Sequence, residues 1–208
     1  MLGNVPPNPA IYHITHLSNL PGILRDGCLW SDSERIRLSV ESTNIGHRHI
    51  KERRLKRAVS VAAGGTLGDY VPFNFCNRSV MLYAVYRGHP DYSEGQEEIL
   101  HLVSSVQTAT TLTQPWAFTE RHADLAYAAY FDDLRKLSEV DWRVMPMDYW
   151  AGSDDTREKR QAEFLVHKCF PWSAVEQIGV RDATVAASVQ ALLGGNHPPV
   201  QVHPGWYY

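Results

Sequence analysis

Residues 161–167 read Gln-Ala-Glu-Phe-Leu-Val-His, and this stretch carries most of the information about both the fold and the chemistry. Its apolar and β-branched composition predicts a strand, in which every second side chain lies on the same face. Glu163 therefore shares a face with Gln161 and Leu165. A lone buried carboxylate is costly, so Glu163 is either a paired or edge-strand residue or a functional one.

Short strands and helices interleave along the rest of the chain. We predict strands at 11–16, 28–30, 70–75, 99–107, 116–119, 162–170, 177–180 and 200–203, and helices at 18–27 (capped by Ser18), 47–57, 79–86, 120–132 and 184–193. Residues 31–46 read as a loop with some helical content, and 138–160 as a long aromatic loop. Short strands joined by several long loops favour a mixed α/β (α+β) fold over a doubly wound parallel sheet.

Length and composition limit the class of protein. The 208 residues fit one domain spanning 1–208, with 1–10 as a flexible N-terminal segment. The formal net charge of −3 gives no general attraction to nucleic acid, so such binding requires a local basic patch.

Cysteine usage and hydropathy point to a cytoplasmic protein. Cys28, Cys76 and Cys169 form no CxxC pair, which favours reduced thiols and argues against both a disulfide and a zinc site. The first ten residues lack the apolar run of a signal peptide, and no stretch reaches the roughly 18 apolar residues of a membrane span. We therefore expect a soluble cytoplasmic protein with no membrane partner and no metal.

The segment 47–57 is the local basic patch. It sets one acid, Glu52, against the cations Arg48, Lys51, Arg53, Arg54, Lys56 and Arg57. Such clustering is typical of phosphate contacts, although a solvated helix face would look the same. Arg53 and Arg54 are adjacent on a helix and must point in different directions, so at most one of them can face a pocket.

One further polar pair and a single histidine are candidates for ligand contacts. His13 and Thr15 lie on one face of the first strand and could bind a ribose or a carboxamide, or simply satisfy each other. His122 is a weak candidate by itself. The chain has no GxGxxG, GxxxxGK[ST], HExxH or GxSxG motif, so a Rossmann dehydrogenase, a P-loop NTPase, a zincin and an α/β-hydrolase have no support.

Seven motifs together resemble one family, the DarT DNA ADP-ribosyltransferases, which are the toxins of DarT–DarG toxin–antitoxin pairs. They are Tyr-His-Ile-Thr-His at 12–16, Glu-Arg-Arg at 52–54, Asp-Tyr-Val-Pro-Phe-Asn-Phe at 69–75, Arg-Ser-x-Met-Leu-Tyr at 78–83, Leu-His-Leu-Val-Ser-Ser at 100–105, Phe-Thr-Glu-Arg-His at 118–122 and Lys-Arg-Gln-Ala-Glu-Phe-Leu-Val at 159–166. The resemblance extends from about residue 10 to the C-terminus.

This resemblance implies a single-domain ADP-ribosyltransferase fold, in which a split, curved sheet with flanking helices holds NAD in a cleft. It also implies a catalytic role for Glu163 and Arg54, a substrate base in single-stranded DNA, most often thymine, and a macrodomain antitoxin similar to DarG as partner. The residues that it places at NAD are His13, Ile14, Thr15, Gly22, Trp30, Arg54 and Tyr83. The loop 122–163 is expected to contact DNA, with Arg53, Trp142, Tyr149 and Trp150 as DNA-binding residues.

Chemistry suggests how the roles divide. Cleavage of the nicotinamide–ribose bond builds oxocarbenium character, which a carboxylate on the ribose 2″-OH stabilises. The thymine imide must also lose a proton, and the Arg54 guanidinium is too weak a base to take it. We therefore expect His122 to accept the proton as general base and Arg54 to stabilise the developing anion.

Two alternatives stay open on the sequence. One is an ADP-ribosyltransferase with another acceptor, such as guanine, RNA or protein. The other is a nucleic-acid-binding module that retains the fold without catalysis. Glu163, Arg54 and His13 favour an enzyme.

Overall fold

The computed structural model describes residues 3–195 and 197–208 of the chain. Its strands are β1 (Ala10–His16), β2 (Cys28–Trp30), β3 (Tyr70–Asn74), β4 (Ile99–Ser105), β5 (Trp116–His122), β6 (Tyr130–Phe131), β7 (Ala162–His167), β8 (Cys169–Pro171), β9 (Gln177–Val180) and β10 (Val200–Val202). Its α-helices are α1 (Leu20–Asp26), α2 (Asp32–Leu38), α3 (Arg48–Arg54), α4 (Val80–Arg87), α5 (Val106–Thr111), α6 (Asp154–Lys159) and α7 (Ala183–Leu192). Short 3-10 helices occupy Leu17–Asn19, Leu67–Asp69, Leu134–Glu139, Trp172–Ala174 and Pro204–Trp206.

Eight strands form one sheet in the order β10-β9-β4-β1-β3-β7-β5-β6, and β2 pairs with β8 in a second, small sheet. Neighbours in the large sheet are antiparallel except β9 and β10, which are parallel. The chain passes from one sheet to the other at Lys168, whose backbone is left-handed (φ 63°) and whose N–H donates to the Asp69 carbonyl at 2.7 Å. These features confirm the predicted α+β class with a split sheet.

The predicted alternation along β7 is confirmed. Phe164 and Val166 belong to the main hydrophobic core, together with Phe73 of the neighbouring strand β3. Leu165 lies on the opposite face in a smaller buried cluster. Glu163 shares that second face, and because β3 and β5 flank β7 on either side, it does not lie on an edge strand.

The predicted helix at 120–132 is wrong. β5 instead continues to His122, which pairs with Ala162 of β7 after an irregularity in register between Phe118 and His122. The following residues form turns, with the Leu125 N–H bonded to the His122 carbonyl, and then the short strand β6. Cross-strand pairing with β7 outweighs the local helix preference of Glu-Arg here.

The remaining differences concern where strands and helices end and two helices that lie within predicted loop segments. The predicted strand 99–107 stops at Ser105, whose side chain caps α5, and 162–170 is broken at Lys168 into β7 and β8. The segment 31–46, predicted as a loop with some helical content, contains α2, and the predicted aromatic loop 138–160 contains α6. Each of these helices is capped by a serine. Ser18 lies inside a 3-10 turn, and Asn19 precedes α1, which ends as predicted at left-handed Gly27.

The first residues run toward β1 along the start of α5. The Pro9 carbonyl accepts from Val106 at 2.9 Å and Asn8 accepts from Gln107 at 3.1 Å, which anchors this end. Part of the segment predicted to be flexible, Met1 and Leu2, lies outside the described residues. Within the described ranges, none of the helices is long and apolar enough to cross a bilayer.

Candidate active site

A cavity of about 370 Å³ lies over the centre of the large sheet, within the size range of small-molecule sites. Strands β1, β3, β5 and β7 contribute to its floor, and α1 to α4 with the loop before α3 form its walls. Among the residues that line it are His13, Ile14, Thr15, Gly22, Trp30, Asp32, Arg35, Arg54, Asn74, Met81, Ala84, His122 and Glu163.

Glu163 and Arg54 form a two-pronged ion pair inside this cavity. Arg54 Nη1 donates to Glu163 Oε1 at 3.0 Å, and Nη2 lies 2.9 Å from Oε2. Arg54 is 9% exposed and Glu163 is 6% exposed. The first contact is a hydrogen bond, whereas the second is a close ionic contact, since Nη2 has no hydrogen-bond partner among the described residues. A guanidinium can place one nitrogen near each carboxylate oxygen, which a lysine ammonium cannot do.

Burial and pairing act on the Glu163 carboxyl in opposite directions. Burial alone raises its pKa, but the Arg54 guanidinium, with help from His122 and the Ala123 N–H, brings the pKa below its ordinary value. Glu163 also raises the pKa of Arg54 against the effect of burial. The pair is therefore fully ionised at neutral pH.

Strand β5 and the turn after it complete the surroundings of Glu163. The Ala123 N–H donates to Glu163 Oε1 at 3.1 Å, and the Glu163 N–H donates to Thr119 Oγ1 at 3.2 Å. Thr119 in turn donates to the Arg121 carbonyl at 2.6 Å, at the irregular end of the strand. Bulges of this kind commonly redirect side chains near active sites.

His122 lies at the same end of β5, with Nε2 4.0 Å from Glu163 Oε1. Burial lowers its pKa, and although Glu163 acts in the other direction, the net pKa is below the ordinary value. The imidazole is therefore mainly neutral at pH 7 and can accept a proton.

His13 and Thr15 are held in place on β1. His13 Nδ1 lies 2.8 Å from the Pro72 carbonyl, so this nitrogen carries the hydrogen and Nε2 keeps its lone pair. Burial lowers the pKa of His13, which keeps the ring neutral. Thr15 accepts from Asn19 at 3.0 Å, and Asn19 also binds the backbone of Thr43, which fixes the loop above the cavity.

Several predicted site residues lie away from the cavity. The face of α4 that lines the cavity is formed by Val80, Met81 and Ala84. The predicted NAD residue Tyr83 lies on another face of this helix and packs edge-on against Trp150 and Tyr208. Trp142 is a core residue: its ring packs on Phe75 and its indole N–H donates to the Leu137 carbonyl at 2.8 Å.

The remaining predicted DNA contacts differ in exposure. Trp150 is buried, with its indole N–H bonded to the Tyr208 hydroxyl, whereas Tyr149 is 75% exposed. Arg53 points away from Arg54, as the helical spacing predicted. It is half exposed and donates to Asp124 at 2.7 Å.

Asp124 is the residue at this site that reasoning from the sequence missed. Asp124 is buried, forms an ion pair with Arg53 and lies 3.9 Å from Arg57. It directly follows Ala123, whose N–H donates to Glu163. It thus links helix α3 to the end of β5. The available signal was an acid two residues after His122, which the incorrect helix at 120–132 obscured.

A deep cleft with a neutral histidine and an arginine-clamped carboxylate on a split antiparallel sheet is suited to stabilising positive charge at a sugar carbon. This fold and site define the class of ADP-ribosyltransferases, which act on NAD.

The chain belongs to the DarT family, since residues 12–208 match the family model described as ssDNA thymidine ADP-ribosyltransferase, DarT. It is 45% identical to a DNA ADP-ribosyl transferase of Thermus sp. strain 2.9, over 97% of this chain and 98% of that protein. The structure of Thermus sp. 2.9 DarT in complex with ADP-ribosylated ssDNA matches with a TM-score of 0.94 at 43% identity, over the whole of both chains. The same protein in complex with NAD+ gives a TM-score of 0.88 at 41% identity, over 99% of this chain and 100% of that one.

A more distant relative joins two activities. It is a DNA ADP-ribosyl transferase–DNA ADP-ribosyl glycohydrolase fusion protein of Thermosipho africanus, 24% identical over 95% of this chain. The chain spans 49% of that protein.

Proposed function

We propose that this protein transfers ADP-ribose from NAD to thymidine in single-stranded DNA and releases nicotinamide. The observation that carries the proposal is the Glu163–Arg54 pair, held ionised in the cavity that His13 and Thr15 also line. Family membership and the likeness to DarT bound to NAD+ and to ADP-ribosylated ssDNA support the same reaction.

Glu163 stabilises the transition state at the ribose. As the nicotinamide–C1″ bond breaks, positive charge builds on the sugar, and a carboxylate bonded to the 2″-OH binds that state more tightly than the ground state. Arg54 and the Ala123 N–H fix the carboxylate before NAD arrives. Such preorganised charge contributes a few kcal/mol in a site shielded from water.

His13, Ile14, Thr15, Gly22 and Trp30 bind NAD, since all of them line the cavity. His13 supplies the lone pair of Nε2 and Thr15 a hydroxyl, which suit the carboxamide and ribose groups of the nicotinamide half. NAD is a co-substrate here.

The acceptor nitrogen of thymine must lose its proton as it attacks C1″. His122 takes this proton, because its imidazole is neutral and lies within 4.0 Å of Glu163. The N–H bond of the base breaks as the C1″–N bond forms, and the electron pair of the glycosidic bond leaves with nicotinamide. The reacting edge is the Watson–Crick edge, so the base must be unpaired.

The DNA lies along the segment that follows β5. Arg53 is half exposed beside the cleft and can meet a phosphate, and Tyr149 presents an exposed ring on which a base can stack. Trp150, next to Tyr149 in this segment, anchors it through the hydrogen bond from its indole N–H to the Tyr208 hydroxyl.

The cellular setting that we propose is a toxin of a toxin–antitoxin pair, acting in the cytoplasm as one catalytic domain over residues 1–208. Its partner is a macrodomain antitoxin similar to DarG, which removes the modification. The fusion relative, which joins a DNA ADP-ribosyl glycohydrolase to the transferase, supports this pairing. The free cysteines Cys28, Cys76 and Cys169 are consistent with a reducing compartment.

Mass spectrometry of short oligonucleotides after incubation with NAD tests the proposal. Single strands with one thymine should gain one ADP-ribose, whereas matched strands with guanine, adenine or cytosine, a thymine-containing duplex, uracil-containing RNA and a protein should not. Glu163→Gln is the control for enzymatic transfer. Modification of guanine, RNA or protein in place of thymine would show that the acceptor is not thymine. If NAD is not consumed with any acceptor, the protein is not an ADP-ribosyltransferase.

A further inference from the structure

Two histidines and an aspartate meet at the edge of the cleft, outside the pairs assigned to the reaction. His47 precedes α3, while His89 and Asp91 lie in the connection from α4 to β4. One ligand atom from each of the three lies within 4.8 Å of the other two. The two imidazole rings are 4.0 Å apart, and His47 Nδ1 is 4.0 Å from Asp91 Oδ2.

The hydrogen bonds of His89 set its tautomer. Its Nε2 lies 3.2 Å from the Ile45 carbonyl, which can only accept, so Nε2 carries the hydrogen. Its Nδ1 carries the lone pair, which accepts a hydrogen bond from the Asp91 N–H at 3.3 Å, and a metal bound at Nδ1 would replace that bond. A histidine that ligates a metal characteristically donates its other ring N–H to a backbone carbonyl or a carboxylate in this way.

Asp91 is also held in place. One carboxylate oxygen accepts from the Arg48 N–H at 3.0 Å, and its side chain is only 23% exposed. The guanidinium of Arg48 lies 3.9 Å from the other oxygen, but that side chain is 78% exposed, so water and salt screen its charge.

We propose that His47, His89 and Asp91 bind a divalent transition metal such as Zn²⁺, with water as the fourth ligand. Two imidazole nitrogens and one carboxylate oxygen match the preference of Zn²⁺, whose ligands lie about 2.0–2.2 Å from the metal. Binding requires the three ligand atoms, which now lie within 4.8 Å of one another, to close around the metal.

The position of the site gives it a physical consequence. His47 and His89 both line the cavity, and α3, which begins beside His47, ends at Arg54. A bound metal joins the start of that helix to the connection after α4. It therefore stabilises the folded protein and narrows one edge of the cleft.

Titration of the protein with ZnCl₂ in a calorimeter, and with CoCl₂ followed by visible absorption, tests the site without NAD or DNA. We expect one metal per chain and the visible bands of low-coordinate Co²⁺. Asp91→Asn, which keeps an acceptor for the Arg48 N–H, should weaken binding about tenfold or more, and His47→Ala should do the same. At a hundredfold excess of Zn²⁺ over Kd, the thermal midpoint should rise by about 5–10 °C.

His49→Ala is the matched control. His49 is exposed and lies two residues from His47, with ring centroids 5.3 Å apart. Binding should be unchanged in this variant. Equal loss in His49→Ala and Asp91→Asn, or no saturable binding to the parent protein, would overturn the proposal. Because metal binding is measured alone, its failure is distinct from failure of the proposed transferase.

Discussion

The two sides of Glu163 are built on different principles. On the side where we propose that NAD binds, called the NAD side, β1, β3, β7 and α3 surround buried side chains that already bind each other, such as Arg54 with Glu163 and His13 with the Pro72 carbonyl. On the side that we propose for DNA, called the acceptor side, which spans residues 123 to 160, regular structure is short and large rings are exposed. Tyr127 is 61% exposed and Tyr149 is 75% exposed.

This difference matches the demands of the two substrates. NAD is one molecule of fixed structure, and a preorganised charged cleft lowers its activation barrier without reorganisation at the moment of reaction. A single strand of DNA is flexible, and a loop surface with exposed aromatic rings accommodates it. Changes on the NAD side should therefore lower the rate of transfer most, and changes on the acceptor side should mainly affect DNA binding.

Glu163→Gln should have the largest effect. The amide keeps the size of the side chain but removes the charge that stabilises the ribose cation, so kcat should fall by about 10²–10³. The measurement is ADP-ribose transfer to a thymine-containing oligonucleotide, with circular dichroism to verify folding. Glu97→Gln, which alters an exposed carboxylate paired with Arg181, is the control and should change little. If the variant retains activity within tenfold of the parent, the Glu163 charge does not stabilise the transition state as proposed.

His122→Ala should lower kcat by about 10², the usual contribution of a general base. Only the neutral imidazole can accept the proton, and burial holds its pKa below 6.5. The rate of the parent should therefore rise with pH through that pKa and then become constant. The variant should lose this acidic limb, since the pKa of Glu163 lies below its ordinary value of 4.5. An unchanged limb would exclude His122 as the base.

Arg54→Lys should lower kcat about thirtyfold, which is roughly 2 kcal/mol for the loss of one charge-assisted hydrogen bond. Lysine keeps the charge but cannot hold both oxygens of Glu163. The pKa of Glu163 should rise toward its ordinary value. A double variant with His122→Ala, which lacks the acidic limb of His122, should therefore lose activity at a higher pH on acidification than His122→Ala alone. Arg135→Lys, on the exposed pair with Asp133, is the control. Full activity of Arg54→Lys would show that the two-pronged geometry is dispensable.

The periodic features of this site could be predicted from the sequence. A period of two along β7 places Glu163 opposite Phe164, and helical spacing separates Arg53 from Arg54; both predictions are confirmed. These arrangements depend on local geometry, which a single segment specifies. The resemblance of seven motifs supplied the family and the fold, which local geometry could not.

Features that depend on distant segments could not be predicted. β5 extends to His122 because β7, some forty residues later, supplies its hydrogen bonds. Trp142 and Trp150 are buried although the surrounding segment reads as a loop, since composition does not distinguish an aromatic core residue from an exposed one. The Asp124–Arg53 link joins two elements about seventy residues apart, and nothing local in either segment indicates it.

Asp124→Asn tests that link between the two sides and should lower kcat about tenfold, equivalent to roughly 1.4 kcal/mol. Asparagine keeps the shape but weakens the hold of α3 on the turn that carries Ala123, so the position of Glu163 changes. The KM for NAD should change less than kcat. Asp133→Asn, which alters an exposed aspartate paired with an arginine, is the matched control. If Asp124→Asn raises the KM for the oligonucleotide alone, Asp124 belongs to the acceptor side instead.

Tyr149→Ala should have the smallest effect and should be confined to DNA. Stacking of a base on an aromatic ring contributes about 1–3 kcal/mol, and for an exposed ring we expect the lower end, or about a fivefold rise in the KM for the oligonucleotide. The KM for NAD and the rate of NAD hydrolysis without DNA should be unchanged, because Tyr149 is absent from the residues that line the cavity. Met147→Ala, two residues away and 41% exposed, separates the ring from general disturbance of the segment and should change neither constant. A higher KM for NAD in Tyr149→Ala would mean that the exposed segment folds over the cofactor, and the contrast between a rigid NAD side and an adaptable acceptor side would no longer hold.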